Sequence, residues 1–179
     1  MQISRVLLLA SLCLLSAFTQ AAAKEVIDAK AEEALMVFEK ESPSGAKLVR
    51  EAAGVLIFPN MIKMSFGPGG EYGEGVLFID GEPVRYYSTA RETMIFAEGA
   101  TFKAQMLLFM TRESLSSFLA SKGYKPGANG RVAMASLDGS GKVKPDVKQA
   151  PLIGFSFSDL GMMADETLHG YKFVGISRR

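Results

Sequence analysis

The chain has 179 residues, with 20 basic and 19 acidic side chains and one cysteine. This balance argues against a nucleic-acid binder that works through overall positive charge. One cysteine excludes a disulfide within the chain and a zinc site built from several thiolates. The length suits one domain with a sizeable hydrophobic core.

Residues 1–23 have the layout of a secretory signal peptide. Arg5 precedes an apolar run from Val6 to Phe18, and small residues follow it. The run is too short to span a bilayer, and Ala21-Ala22-Ala23 fits the pattern of a cleavage site. We expect cleavage after Ala23, or as a second choice after Ala21. The protein would then be exported, to the periplasm or another part of the cell envelope.

Cleavage after Ala23 would leave a single domain over residues 24–179. Arg5 and Cys13 would leave with the signal peptide, and no acidic residue would be lost. The mature chain would therefore be formally neutral, with 19 basic and 19 acidic side chains, and would fold without any cysteine.

Two helices are predicted at the start of the mature chain. Ser42-Pro43 fits the N-cap and first turn of the second helix, which we expect to run through Ala53 with Gly54 just after its end. Apolar side chains at helical spacing predict the first helix, and we expect it to pack on the rest of the domain. They are Ile27, Ala31, Ala34, Leu35 and Phe38.

After Gly54 the sequence predicts short strands joined by tight turns. Asp80-Gly81, between two apolar runs, is a strong signal for a β-hairpin. One further helix is predicted near residues 112–122, with Thr111 as its N-cap and Gly123 as its stop. The fold class is therefore α+β: N-terminal helices followed by a mainly antiparallel, glycine-rich β-sheet with one later helix. The runs are "VLIFP", "GVLFIDGEPVRYYS", "TMIFAEGATFKAQMLLFM", "VAMASLDGSGKV", "LIGFSFS" and "YKFVGIS".

The segment "FGPGGEYGEG", residues 66–75, does not match a nucleotide-binding loop. Tyr72 stands where the third glycine of a dinucleotide fingerprint belongs, and a strand-like run follows instead of a helix. "GSGKV" at 139–143 also lacks the spacing of a P-loop. The glycines fit a bent strand, or one that another backbone approaches closely.

Catalytic and metal-binding patterns are weak, so we expect a protein that is not an enzyme and needs no cofactor. Glu71 and Glu74 would point to opposite faces of a strand, and we interpret both as solvated. His169 is the one histidine, which is too few for an ordinary zinc site without cysteine. No setting typical of a nucleophilic serine is present.

The central sequence contains a series of short motifs in a fixed order. They are Phe58-Pro59, Lys63, Phe66-Gly67, Gly69-Gly70, Tyr72-Gly73-Glu74-Gly75, Tyr86-Tyr87-Ser88-Thr89-Ala90, Gly99-Ala100 and Leu108-Phe109-Met110-Thr111. This pattern resembles the SYLF domain, a lipid-binding family with exported bacterial members and yeast actin-patch relatives. The resemblance extends from about residue 30 to the end of the chain. It implies a domain without enzymatic activity that binds phospholipids; we do not expect actin as a partner for an exported protein.

One segment of this nearly neutral chain is basic. Residues 122–148 hold six basic side chains against two acidic ones. Basic residues near an anionic bilayer contribute about 1 kcal/mol each. We therefore predict attachment to anionic phospholipid through this segment; the alternative is an envelope module that binds another protein instead of lipid. The predicted lipid-binding residues are Lys122, Lys125, Arg131, Lys142, Lys144 and Lys148.

Overall fold

A computed structural model describes residues 24–64, 69–93, 101–136, 142–144, 147, 149–158, 161–162 and 168–177. Three predicted features lie outside these ranges: the signal peptide over residues 1–23, Lys148, and the start of the glycine-rich motif at 66–68. Three helices are described: α1 over 24–41, α2 over Pro43–Glu51 and α3 over Arg112–Ala120. None of the described helices is long and apolar enough to cross a membrane.

The described strands all belong to one sheet. They are β1 (Gly54–Met64), β2 (Gly69–Ile79), β3 (Glu82–Thr93), β4 (Thr101–Phe109), β5 (Ala133–Met134), β6 (Leu152–Ser158), β7 (Gly161–Met162) and β8 (Lys172–Ile176). Their order in the sheet is β5-β6-β4-β1-β2-β3-β8, with β7 paired to β6. Every pairing of these strands is antiparallel except that of β5 with β6. The predicted α+β class, with helices first and a mainly antiparallel sheet after them, is confirmed.

Both predicted N-caps are confirmed, whereas both predicted glycine stops are wrong. The hydroxyl of Ser42 accepts from the Gly45 amide, and that of Thr111 accepts from the Ser114 amide. α2 ends at Glu51, because Ala52 adopts an extended conformation that leads directly into β1. α3 likewise ends at Ala120, before an extended Ser121.

Both glycines lie close to side chains from other parts of the fold. A Cβ on Gly54 would lie 3.0 Å from a methyl group of Leu115 in α3. One on Gly123 would lie 2.7 Å from the Lys172 side chain. The predicted hairpin is confirmed: Asp80 and Gly81 both have positive φ, at 53° and 83°, and join β2 to β3.

The sheet is covered on both faces, which explains why its central strands are apolar on both sides. On the face called here the α1 face, sheet residues such as Ile57 and Phe155 pack with Phe38 of α1. On the opposite α3 face, residues such as Phe109 pack with Phe118 of α3. The sheet therefore divides the hydrophobic core into two layers, one covered by α1 and the other by α3.

A β-bulge at Pro59-Asn60 changes which side chains of β1 face each layer. β1 advances by three residues from Phe58 to Met61, while its partner β4 advances by two. Phe58 and Met61 consequently share the α3 face despite their odd separation. A Cβ on Gly75 would overlap the Ile57 carbonyl oxygen, so the prediction that glycine admits a neighbouring backbone is confirmed in β2.

Candidate functional site

A buried charged cluster lies on the α3 face, and Glu71 is at its centre. Arg91 Nη2 lies 3.0 Å from Glu71 Oε1, and Lys103 Nζ lies 3.2 Å from Oε2. The hydroxyl of Tyr171 donates to the same Oε2. The side chain of Glu71 is 1% exposed and that of Lys103 is 6% exposed. We call these four residues the Glu71 cluster; it contains two formal positive charges and one negative charge.

The sheet register brings the cluster together from three strands. Glu71 of β2 stands directly opposite Arg91 of β3. Lys103 of β4 pairs with Met61, which the bulge has turned to the α3 face. Both neighbours of β1 advance by one residue fewer than β1 across the bulge, so the α3-face positions of β4 and β2 stay aligned at this level of the sheet.

Tyr171 closes the cluster from outside the sheet. The guanidinium carbon of Arg91 lies 4.5 Å from the centre of the Tyr171 ring, which is a favourable cation–π arrangement. Gln105 Nε2 donates to the Tyr171 hydroxyl at 3.3 Å. Tyr171 thus links Glu71 to Gln105 through its hydroxyl, and its ring packs against the guanidinium of Arg91.

The two glutamates have different surroundings. Their opposite orientation is confirmed, since Glu71 lies in the α3 layer and Glu74 accepts from the exposed Tyr72 hydroxyl at 2.8 Å. The solvated interpretation is wrong for Glu71, because the fold supplies three donors to its carboxylate. Glu71 is an even number of residues from buried Leu77, but Glu74 is likewise an even number from buried Val76, so strand alternation alone does not distinguish the two glutamates.

An open cleft of about 840 Å³ adjoins the cluster at one end of the sheet. Glu71 and Arg91 form part of its wall, and Lys125 and Lys172 add two exposed ammonium groups. Tyr72, which is 46% exposed, contributes an aromatic ring. The other lining residues are Ile62, Gly70, Ala90, Glu92 and Gly170.

The cleft has an excess of positive charge over its two carboxylates. Arg91, Lys125 and Lys172 outnumber Glu71 and Glu92 in the lining. The Glu71 charge is also offset from behind by Lys103 at 3.2 Å. This arrangement can hold an anionic group at the mouth of the cleft while keeping an apolar and aromatic surface beside it.

The predicted basic segment does not remain on one side of the molecule. Lys122 and Lys125 flank Tyr124, which bridges to Phe173 and belongs to the α3-face core. Lys142 and Lys144 flank Val143, whose amide donates to Ser44 and whose side chain belongs to the α1-face core.

The two remaining predicted residues lie elsewhere. Arg131 is exposed in a small pocket with Ala133 of β5 and with residues 149–151. Lys148 lies outside the described residues. Of the five predicted residues that the structure describes, only Lys125 lines the cleft, and sequence reasoning missed Arg91 and Lys172.

Among the described residues, no group of three or more His, Cys, Asp or Glu side chains could hold a metal ion. His169 is exposed in a turn before Tyr171.

Comparison with models of known protein families and with curated proteins finds no match for this chain. The geometry of the cleft and of its charged wall must therefore carry the functional argument.

Proposed function

We propose that this protein is an exported phospholipid-binding module without enzymatic activity, located in the periplasm or at another surface of the cell envelope. The observation that carries the proposal is the cleft whose wall combines Arg91, Lys125 and Lys172 with the half-exposed ring of Tyr72. The partner is an anionic phospholipid presented by a membrane surface. The resemblance to SYLF domains and the signal-like N-terminus agree with this proposal.

The chemistry of the cleft suits a phosphate group. Arginine can bind a phosphate through two parallel hydrogen bonds, and lysine adds a flexible point charge. The exposed ammonium groups of Lys125 and Lys172 would each contribute about 1 kcal/mol near an anionic bilayer. Tyr72 fits the boundary between water and acyl chains, where an aromatic ring with a polar end is favourable.

The Glu71 cluster has a supporting role in this proposal. Its carboxylate fixes the guanidinium of Arg91, while Tyr171 packs against the face of that guanidinium. A fixed arginine loses less conformational entropy when it binds a ligand. Arg91 is therefore held ready for a phosphate before lipid arrives.

Charge reversal at two separate places on the surface tests the site. We expect Lys125→Glu with Lys172→Glu to weaken binding to anionic vesicles by about tenfold or more, since two attractive charges become repulsive. The matched control, Lys142→Glu with Lys144→Glu, makes the same change in net charge beside α2 and should keep most of the binding. Vesicle co-sedimentation measures both variants, and circular dichroism checks that both fold.

Two results would contradict the proposal. Equal loss in both double variants would mean that binding depends on net charge and not on the cleft. Full binding by the Lys125/Lys172 variant would place the lipid contact elsewhere on the molecule. Failure of the unsubstituted protein to bind any vesicle would instead favour a module that recognises another envelope protein.

A further inference from the structure

A second concave site lies between α1 and the sheet. It is a groove of about 300 Å³, and it shares none of its lining residues with the cleft. The bulge at Pro59-Asn60 forms one wall, and the neighbouring ends of β4 and β6 form the floor. We call it the α1 groove.

The α1 groove is mainly apolar inside. Its apolar lining residues are Ala34, Val37, Pro59, Ala104 and Phe157. Val37 is 40% exposed although it lines the groove, so a hydrophobic ligand would bury surface that now meets water. The volume is at the lower end of the range for ligand pockets, so the groove would hold part of one acyl chain and not two chains side by side.

Two lysines and one glutamate line the groove. Lys103 is almost fully buried and is paired with Glu71 at 3.2 Å, which leaves Lys30 and Glu33 as the charges at the rim. Lys30 and Glu33 are three residues apart on α1 and therefore lie on the same side of the helix. With the Asn60 amide oriented to satisfy its neighbours, its oxygen accepts from Lys30 Nζ at 3.1 Å. Within the described part of the chain, no lysine or arginine lies within 4.0 Å of the Glu33 carboxylate.

We propose that the α1 groove binds a single-chain phospholipid with an amine-bearing headgroup. The acyl chain lies against Val37 and Phe157, the phosphate meets Lys30, and the ammonium of the headgroup meets Glu33. This inference rests on the proposed lipid-binding function but assigns a separate site, which takes one lipid molecule at a time. The charge pattern selects a zwitterionic lipid, in contrast to the positive cleft.

Lysophosphatidylethanolamine, kept below its micelle concentration, is the probe. Isothermal titration should give one lipid bound per chain. Val37→Asp places a charge in the apolar wall and should weaken binding by about tenfold or more. Met36→Asp is the matched control, because Met36 is the adjacent residue, is 64% exposed and does not line the groove; it should bind as the unsubstituted protein does.

The headgroup assignment has its own test. Lys30→Glu should also lose binding, whereas Lys40→Glu, on the same helix but outside the groove lining, should retain it. Lysophosphatidic acid, which lacks the ammonium, should bind more weakly than lysophosphatidylethanolamine, and Glu33→Gln should reduce that difference. Equal binding of the two lipids by the unsubstituted protein would overturn the role of Glu33.

The two lipid sites can be separated in one set of proteins. Folded Val37→Asp should still pellet with anionic vesicles, since it leaves the cleft unchanged. No binding of the single-chain lipid by the unsubstituted protein, or unchanged binding by Val37→Asp, would overturn the groove proposal even if vesicle binding persists. If the unsubstituted protein binds the single-chain lipid but does not pellet with anionic vesicles, only the proposed function is contradicted.

Discussion

Glu71 is the residue around which the charged site is organised. A buried carboxylate is costly unless ion pairs and hydrogen bonds replace its hydration. Here Arg91 and Lys103 supply the ion pairs, and Tyr171 donates a hydrogen bond. The same contacts fix Arg91 at the wall of the cleft, so the residue that stabilises the α3 face also shapes the proposed site.

Removing the Glu71 charge should therefore destabilise the fold. We expect Glu71→Gln to lower the free energy of unfolding by about 3 kcal/mol, because it leaves two cations at this site without their carboxylate. Urea denaturation monitored by circular dichroism measures the change. Lys103→Met in the Glu71→Gln background should recover part of the loss, since it removes one of those cations.

The double-mutant cycle separates this explanation from a simple packing defect. The two substitutions should be strongly non-additive, because the residues are in direct contact. Additive losses would show that the ion pair contributes little, and a loss below about 1 kcal/mol in Glu71→Gln would contradict the cluster as a stabilising element.

At the scale of single elements, α1 is attached to the sheet by a polar contact as well as by its apolar face. The hydroxyl of Tyr86 in β3 donates to both carboxylate oxygens of Asp28, at 2.7 and 2.8 Å. Burial and this hydrogen bond, together with the negative charge of Asp28, raise the pKa of Tyr86 well above its ordinary value of 10.0. The folded protein therefore keeps the phenol proton at a pH where the unfolded chain loses it.

The attachment of α1 should depend on pH on the alkaline side. The raised pKa of Tyr86 contributes stability that is fully present below about pH 10 and is lost as the pH rises above it. Tyr86→Phe should cost about 1–2 kcal/mol near neutral pH, through the lost hydrogen bond to a charged group. The difference between the two proteins should stay constant up to about pH 9 and shrink as the pH rises above about pH 10 in urea titrations.

The opposite trend would contradict this assignment. A difference that grows above pH 10 would require a phenol pKa lowered by folding, which disagrees with the Asp28 contact. Tyr87 and Tyr124, whose pKa values are also raised by burial, titrate in both proteins and cancel in the comparison.

Local chemistry made several elements predictable from sequence. Ser42 and Thr111 cap helices by hydrogen bonds within three residues, and Asp80-Gly81 forms a turn with its own backbone. The stops at Gly54 and Gly123 were wrong because the chain leaves both helices in an extended conformation without needing a glycine. The side chains that lie close to those two glycines, Leu115 and Lys172, are distant from them in sequence, so no local pattern reveals the contacts.

At the scale of the whole molecule, the site could not be predicted from linear charge. The basic segment 122–148 crosses from the α3 face at Tyr124 to the α1 face at Val143, so closeness in sequence does not become closeness in space. The cleft instead draws Arg91 from β3 and Lys172 from β8, which are 81 positions apart in the chain. Arg91 and Lys172 line the same cleft because β3 pairs with β8, and Ala90 lies opposite Lys172 in that pairing.

The bulge in β1 is a second whole-molecule feature. It places Met61 on the α3 face, where Met61 pairs with Lys103 of β4. The Pro59-Asn60 segment of the bulge also forms a wall of the α1 groove. β1 therefore supplies residues to both proposed lipid sites, with Pro59 and Asn60 in the groove and Ile62 in the cleft. Only Lys103 belongs to the Glu71 cluster and also lines the groove.

Co-sedimentation of the unsubstituted protein with vesicles tests the central claim most directly. Anionic and zwitterionic vesicles are compared, each at low and at physiological salt. The account predicts selective pelleting with anionic vesicles that weakens as salt rises, because exposed lysines attract the bilayer over about a Debye length. Absence of pelleting under every condition, or equal pelleting with both vesicle types regardless of salt, would contradict it.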